Sequence, residues 1–592
     1  MNNIKRIYFT AAALGACAIS FGQNLNPTVE VTNTYEGDPS HIQKPLTEMM
    51  VPDSLLRFDL DFNYQVFDNP YDASYSFKPY MLNVKPGRDA WRGKSLYLKA
   101  GAGYSLHPQL DFVWSPERKG PFQFSIYANH RSYFGKYHEI VPWLKSGSQD
   151  VYELKSNGNS YKGHDALTRA GFDGRYSWDS GTFAFGVGYY GLNTKDTLTS
   201  QNYNAADVYL NLQSYDRPDA QFYYDATVKG RFGKNNLKYS SGLGNFYGKS
   251  ALNNLSGLGI AEGKCDYKET VISLDGNVGF AVNGHKFLVG LDGAYAGYSD
   301  LLQGAYGVFA VTPKYVFEKG KLKVNVGLRI QKFFSDNDEK DLLEPEEWDG
   351  GVMLNPDIYA SIALVNGFQP YVRIYNGTKI NTMSSVQEGR NHFFNPLCFT
   401  LGNDTGYDLS AGFKGDFSTA FHYDVNARLN SYDETLMDYV SYSGKEYYVP
   451  AYSRSECDVF SVNALMNLRV KRFKADADFH YYHTKFQEDG SHAFAMPDFT
   501  VGLKAVYDIT SRIYCGANMS YVHKREGDFY VNSQGGYSIP GWLDLGILGG
   551  YQFNRKLGFW LESGNLLGQK VQPNPFYVEK GLWITAGITL NL

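Results

Sequence analysis

Asp476, Asp478 and His480 stand at alternate positions in Phe473-Lys474-Ala475-Asp476-Ala477-Asp478-Phe479-His480. On a strand, alternate positions share a face, so two carboxylates and an imidazole would be presented together. Such a set suits acid–base work or metal coordination. Two features argue against either chemistry. No serine or second histidine is tied to the set by spacing, and His480 and His483, three apart in His480-Tyr481-Tyr482-His483, fall on opposite faces of a strand. The plainer reading is a hydrated wall whose charges pair with residues such as Lys474 or Arg428.

A second candidate lies between Ser335 and Gly351, where Asp336, Asp338, Glu339, Asp341, Glu344, Glu346, Glu347 and Asp349 crowd together. Clustered carboxylates suit a hard cation such as calcium, but the spacing and turn glycine of an EF-hand are missing. A solvated loop accounts for the charge. Phosphate-cradling glycine loops and a serine nucleophile elbow are absent, and Gly101-Ala102-Gly103-Tyr104-Ser105 is not a dinucleotide fingerprint. No catalytic, cofactor or metal residue is assigned, and the chain is not read as an enzyme.

The elements that carry these residues alternate with a period of two. From Lys321 to Phe334, Leu322, Val324, Val326, Leu328 and Ile330 share one face, while Lys323, Asn325, Gly327, Arg329 and Gln331 share the other. From Ala420 to Asn430 the apolar set is Phe421, Tyr423, Val425, Ala427 and Leu429, opposed by His422, Asp424, Asn426, Arg428 and Asn430. The polar faces give the lumen-facing candidates Lys323, Arg329, Asp424, Arg428, Asp476, Asp478 and His480. Arg169, Asp173, Arg175, Asp225, Lys229 and Arg231 share such a phase elsewhere. This mixture of signs fits pairing across a lumen or a plugged interior better than a single-sign selectivity ladder.

Composition points the same way. The 592 residues include 48 Tyr, 39 Phe and 61 Gly, which suits interfacial aromatic belts and curved, tilted sheets. A formal charge of −5 gives no reason to expect nucleic acid. Mean hydropathy is −0.38, and beyond the N-terminus there is no apolar run of about 18 residues that would make a membrane helix.

Joins between alternating segments follow a rhythm. Short ones fall at Glu117–Gly120, Asp179–Gly181, Tyr215–Asp219, Ala281–His285, Glu318–Gly320, Val365–Gly367, Asp416–Ser418, around Lys471, Ile509–Ser511 and Phe553–Lys556. Between them come longer insertions, at 135–163, 194–203, 233–266, 298–303, 335–350, 379–404, 432–454, 487–496, 525–536 and 567–580. With a first tight turn near Ser105-Leu106-His107, the count is about 22 strands, within a range of about 18 to 24. The predicted fold is all-β: one large transmembrane antiparallel β-barrel.

The N-terminus reads as an export signal over residues 1–23, with Lys5 and Arg6 ahead of an apolar core. Leu14-Gly15-Ala16-Cys17 is an alternative lipidation site. Residues 24–90 are broken by Pro27, Pro39, Pro45, Pro52, Pro70, Pro79 and Pro86 and read as a periplasmic or lumen-filling arm. Residues 91–592 form the barrel. The remaining cysteines fit neither a disulfide framework nor a zinc site. Cys515 takes a lipid-facing phase, and Cys398 and Cys457, near predicted loops, could pair.

The chain's end carries a family resemblance. Asn565-Leu566-Leu567-Gly568-Gln569-Lys570, then Pro575-Phe576-Tyr577, then Gly581 and the strand Leu582 to Leu592 resemble the C-terminal signature of TonB-dependent outer-membrane receptors. There an NLF-x-K segment precedes the last loop, and a glycine-led strand closes the barrel. The sequence departs from the pattern in lacking a plug domain and a recognisable TonB box, and in ending on Leu592. It most resembles the plug-less, receptor-like barrels of the Bacteroidota. The resemblance implies a channel or receptor-like transporter scaffold in Gram-negative outer-membrane lipid, with both termini periplasmic. The arm could reach periplasmic proteins. The alternative is a non-transporting scaffold that docks periplasmic partners in an envelope assembly. No cofactor is implied, and the cargo is unassigned.

Overall fold

The computed structural model describes residues 95–592, apart from 118–119, 149–150, 197–198, 216–221, 240–265, 283–284, 301–303, 337–350, 365–366, 390–401, 418–419, 443–447, 487–496, 531–535 and 580. The expected signal, arm, Cys17, Cys398 and most of the acidic loop lie outside the described residues.

Strands follow one another as antiparallel neighbours. The first are β1 (Leu96–Tyr104), β2 (Gln109–Trp114), β3 (Phe122–Leu144), β4 (Val151–Trp178), β5 (Gly181–Lys195) and β6 (Thr199–Ser214). Next come β7 (Phe222–Tyr239), β8 (Tyr267–Val282), β9 (His285–Asp300), β10 (Gly304–Lys319), β11 (Leu322–Asp336), β12 (Val352–Ile362) and β13 (Gln369–Ile380). A short helix, α1 (Met383–Gly389), precedes β14 (Gly402–Phe417), β15 (Phe421–Tyr442), β16 (Tyr448–Val470) and β17 (Phe473–Phe486). The rest are β18 (Phe499–Asp508), β19 (Ile513–Val522), β20 (Arg525–Tyr530), β21 (Gly536–Ile539), β22 (Trp542–Gln552), β23 (Leu557–Gly564) and β24 (Trp583–Asn591).

The wall passes directly from β19 to β22, with Ile513 opposite Tyr551. Of the 24 strands among the described residues, β20 and β21 therefore stand outside it, and the other 22 close a barrel. Closure is by β24 on β1, from Asn591 opposite Tyr97 to Ile584 opposite Tyr104. Thr585 and Asn591 are buried inside, while Ile584 and Ile588 are exposed outside, as the alternation requires. The seam explains two glycines. The Trp560 indole crosses the inner face of the row Trp560–Gly587–Gly101, and a Cβ on either glycine would come within 2.5 Å of it. Lys99 covers the other side of that ring at 4.3 Å and pairs with Glu562 at 2.6 Å.

Val187, Leu210, Phe232, Phe280 and Ile547 are among many large apolar side chains exposed on the outer face, the surface a lipid-embedded barrel presents. One rim carries the short turns and the other the longer connections. Several expected insertions are shorter than the sequence suggests. β3 and β4 continue to Leu144 and from Val151, so the stretch expected at 135–163 is mostly paired strand. Apolar alternation fades there, but the backbone ladder continues beyond the apolar belt, out to Leu144 opposite Tyr152.

The described parts of the insertion expected at 525–536 are strand. β20 and β21 form a hairpin; β20 runs parallel to the end of β15 and β21 parallel to the start of β4. Positions 4 and 15 differ by 11, half of 22, so these strands face each other across the ring. The small sheet β15–β20–β21–β4 thus bridges the long-loop mouth. Cys457 is a buried free thiol within β16, and Cys515 is exposed on β19.

Candidate functional site: a helix lodged in the lumen

The segment between β13 and β14 turns into the barrel. Its helix starts at a reciprocal cap: Ser385 N donates to Thr382 Oγ1 at 3.2 Å, and Thr382 N donates to Ser385 Oγ at 3.1 Å. This is a capping box with serine in the place usually held by Glu or Gln. A helix this short cannot sustain itself, so docking holds it. Met383 and Val386 pack into a buried cluster with Tyr190, Leu192, Tyr203, Tyr298 and Tyr306.

Tyrosines on the inner wall of β5 to β10 build the receiving surface. Tyr203, Tyr267 and Tyr306 are almost wholly buried, and at their centre Glu269 is 1% exposed. Its carboxylate accepts from Tyr203 Oη at 2.8 Å, Tyr298 Oη at 2.9 Å and Ser384 N at 3.1 Å. Three donors on one buried carboxylate offset the cost of removing its charge from water. Met383 N donates to Tyr298 Oη at 3.1 Å, and Tyr306 Oη donates to Asn381 O at 2.5 Å. Gln387, fully buried, donates to Gln201 at 2.7 Å and accepts from Tyr267 Oη at 3.3 Å.

At the helix end Glu388 pairs with Arg169 of β4. Arg169 and Arg231 both lie against the Tyr190 ring, at 5.3 and 4.4 Å from its centroid. Asp207 neutralises Arg231 through a two-point contact of 2.7 and 2.8 Å. The wall thus supplies its own counterion for one arginine, and the helix supplies it for the other.

The lumen-facing candidates are spread around the wall. Arg329 grips Asp292 with contacts of 2.6 and 2.5 Å, and Arg428 grips Asp408 at 2.9 and 2.5 Å. Asp424 accepts from Tyr371 Oη at 2.8 Å. Asp476 lies 4.0 Å from Arg469, Asp478 lies 3.9 Å from His480, and His480 contacts Asn463 at 2.7 Å. Lys323 pairs with Glu318 near the short-turn rim. These pairs run along the wall, within one strand or between strands one or two apart, not across the lumen as the mixed signs suggested. Strand spacing is about 5 Å, within side-chain reach, and a barrel of this strand number is far wider.

Sequence reasoning placed Arg169 and Arg231 in the lumen but missed Glu269, Glu388 and the tyrosines. One signal was present: tyrosine recurs at inward positions on successive strands. The helix itself, Met-Ser-Ser-Val-Gln-Glu-Gly, carries no such signal.

The last long connection, residues 565–582, also folds across the mouth. Its Val571 packs on Val522 and Trp542, and Val578 packs with Ile140, Leu154, Tyr537 and Ile539. Arg525 of β20, fully buried, donates to the backbone carbonyls of Pro573, at 2.5 Å, and Gln572. Burial pushes its guanidinium down to about 9. Tyr577 Oη donates to Asp196, and Lys570 Nζ reaches His138 Nε2 at 2.5 Å.

No family model matches the chain, and no curated protein does. Solved structures do. The FrpB iron transporter from Neisseria meningitidis superposes with a TM-score of 0.60 at 9% identity, over 85% of this chain and 82% of that one. A mutant of the ferric enterobactin receptor PfeA from Pseudomonas aeruginosa gives 0.54 at 12%, over 84% and 80%. The copper transporter OprC gives 0.61 at 10%, over 84% and 80%. At these identities the likeness establishes the barrel fold.

Proposed function

We propose that the chain is a receptor-like transporter barrel of the outer membrane, of the TonB-dependent-receptor kind and the plug-less Bacteroidota type. Its long-loop rim faces outward, and both termini are periplasmic. One observation carries the reading: a closed 22-strand wall has an apolar exterior and a polar, aromatic lumen into which one of its own connections is fitted. A barrel this wide leaves an open hole unless something fills it. The fitted helix and the bridging hairpin narrow the mouth, as a selective conduit requires. The neighbours named for iron, copper and enterobactin support transport as the use of this wall. Residues 1–23 serve as the export signal, and residues 24–90 as an arm in the lumen or periplasm.

Conductance in planar bilayers tests this. The full chain should give a folded, heat-modifiable barrel of low conductance, and deletion of residues 24–90 should raise that conductance. Unchanged conductance would remove the arm from the lumen. A silent barrel that co-purifies stoichiometrically with periplasmic proteins would favour the scaffold reading and overturn transport.

A further inference from the structure

The lodged helix presents a particular chemistry to the wall. Two peptide N–H groups meet Tyr298 and Glu269, a carboxamide meets Gln201 and Tyr267, and a carboxylate meets Arg169. Every polar feature of that face could belong to any short peptide with an acidic side chain. We infer that the inner wall around Glu269, Tyr298, Tyr267 and Arg169 is a binding site for acidic, peptide-like solutes, and that α1 is its built-in competitor. The inference rests on the transporter reading and names the solute class for the same lumen.

Two observations set this apart from a permanent plug. A buried ion pair and a buried carboxylate are poor stabilisers compared with apolar residues of equal volume. If closure alone were needed, the packing that holds residues 565–582 would serve better. Part of the wall also holds itself together without the helix. Asp207 already neutralises Arg231, and Tyr203 and Tyr298 already donate to Glu269. Removing α1 leaves a preorganised surface with one arginine, Arg169, stripped of the Glu388 carboxylate. An incoming peptide supplies its own carboxylate there and its own N–H groups to Glu269. Behind Tyr267, the fully buried Asn235 Oδ1 has no donor among the described residues, leaving an acceptor for a longer solute.

Tethering makes α1 a strong competitor, because a segment held near its site acts at an effective concentration in the millimolar range. Weakening its grip must therefore strengthen binding of the same peptide added in trans. The probe is the end-blocked, fluorescent nonapeptide Asn-Thr-Met-Ser-Ser-Val-Gln-Glu-Gly, the sequence of residues 381–389, titrated by anisotropy against the full chain in detergent. Glu388→Ala should bind it on the order of tenfold or more tighter than the unmodified chain. Adding Arg169→Gln to Glu388→Ala should abolish the gain, as should glutamine in place of the peptide's glutamate. The charge-swapped pair Arg169→Glu with Glu388→Arg should restore the lodged helix and suppress binding again.

Equal binding by Glu388→Ala with and without Arg169→Gln would overturn the site. So would no binding by any variant whose heat-modifiable migration shows a folded barrel. Displacement of the peptide by equimolar citrate would reduce the site to an anion pocket and overturn the peptide assignment. A barrel that binds the peptide yet admits none into vesicles would overturn transport and leave the site standing.

Discussion

The connection carrying α1 and the connection at 565–582 both fold into the same mouth, yet they are held in opposite ways. The first is held by hydrogen bonds and charge: Glu388 on Arg169, Ser384 N on Glu269 and Gln387 between Gln201 and Tyr267. Each of those partners would accept an equivalent group from a solute. The second is held by apolar packing of Val571 and Val578 and by Arg525 donating to main-chain carbonyls. No small solute reproduces that set, because it requires the chain itself. Similar position thus hides a difference in exchangeability: one segment can be displaced by competition, whereas the other is part of the wall.

The contrast is broken most directly at Arg525. Arg525→Met strands two buried carbonyls and should cost about 3 kcal/mol of docking. Trypsin cleavage after Lys570 should then accelerate on the order of a hundredfold, with α1 and nonapeptide binding unaffected. Parallel loss of both would show the two connections to be one unit.

Glu269→Gln works on the other side. An amide cannot accept from all three donors around it, so docking of α1 should weaken by about 1–3 kcal/mol. Single-channel conductance should rise while tryptic cleavage at Lys570 stays at its original rate. No change in conductance would mean that the helix is not what narrows the lumen.

Tyr577→Phe removes one hydrogen bond to Asp196 and should cost about 1.5 kcal/mol. Cleavage at Lys570 should quicken by about tenfold. An effect as large as that of Arg525→Met would shift the anchor from the arginine to the tyrosine.

The smallest effect expected is that of pH. Burial, and then the Lys570 cation, hold the His138 imidazole below its ordinary value of 6.5. The docked state therefore takes up its proton later than the released state does. As pH falls below about 6.5 the released state binds more protons, and docking loses stability. The site is half-exposed, so the loss should stay under about 1 kcal/mol. Tryptic cleavage at pH 5.5 should modestly exceed that at pH 7.5 after correction for protease activity, and His138→Gln should flatten the difference.

Much of the barrel was legible in the sequence, and the reason is local. Lys321 to Phe334 and Ala420 to Asn430 alternate because one side meets lipid and the other does not, and a period of two records that contact residue by residue. The short turns at Asp179–Gly181 and around Lys471 were readable for the same reason. Strand ends were less so. β3 and β4 keep pairing past the point where apolar alternation stops, and the ladder depends on backbone groups that leave little mark in side-chain type. The Arg169 and Arg231 phases were visible, but their partners were not. Asp207 sits one strand away and Glu388 far along the chain.

The sequence by itself determined the wall: its strand number, its rhythm of turns, which side of each strand meets lipid, and closure by the segment ending at Leu592. Those follow from contacts between a residue and its solvent, or its sequence neighbours. The tertiary structure alone decided what stands inside the wall. That Met383–Gly389 lodges on Glu269, that β20 and β21 bridge β15 and β4, and that Arg525 buries itself in the chain's last connection all depend on meetings between distant segments. Such meetings exist only once closure fixes the strands at their places around the ring.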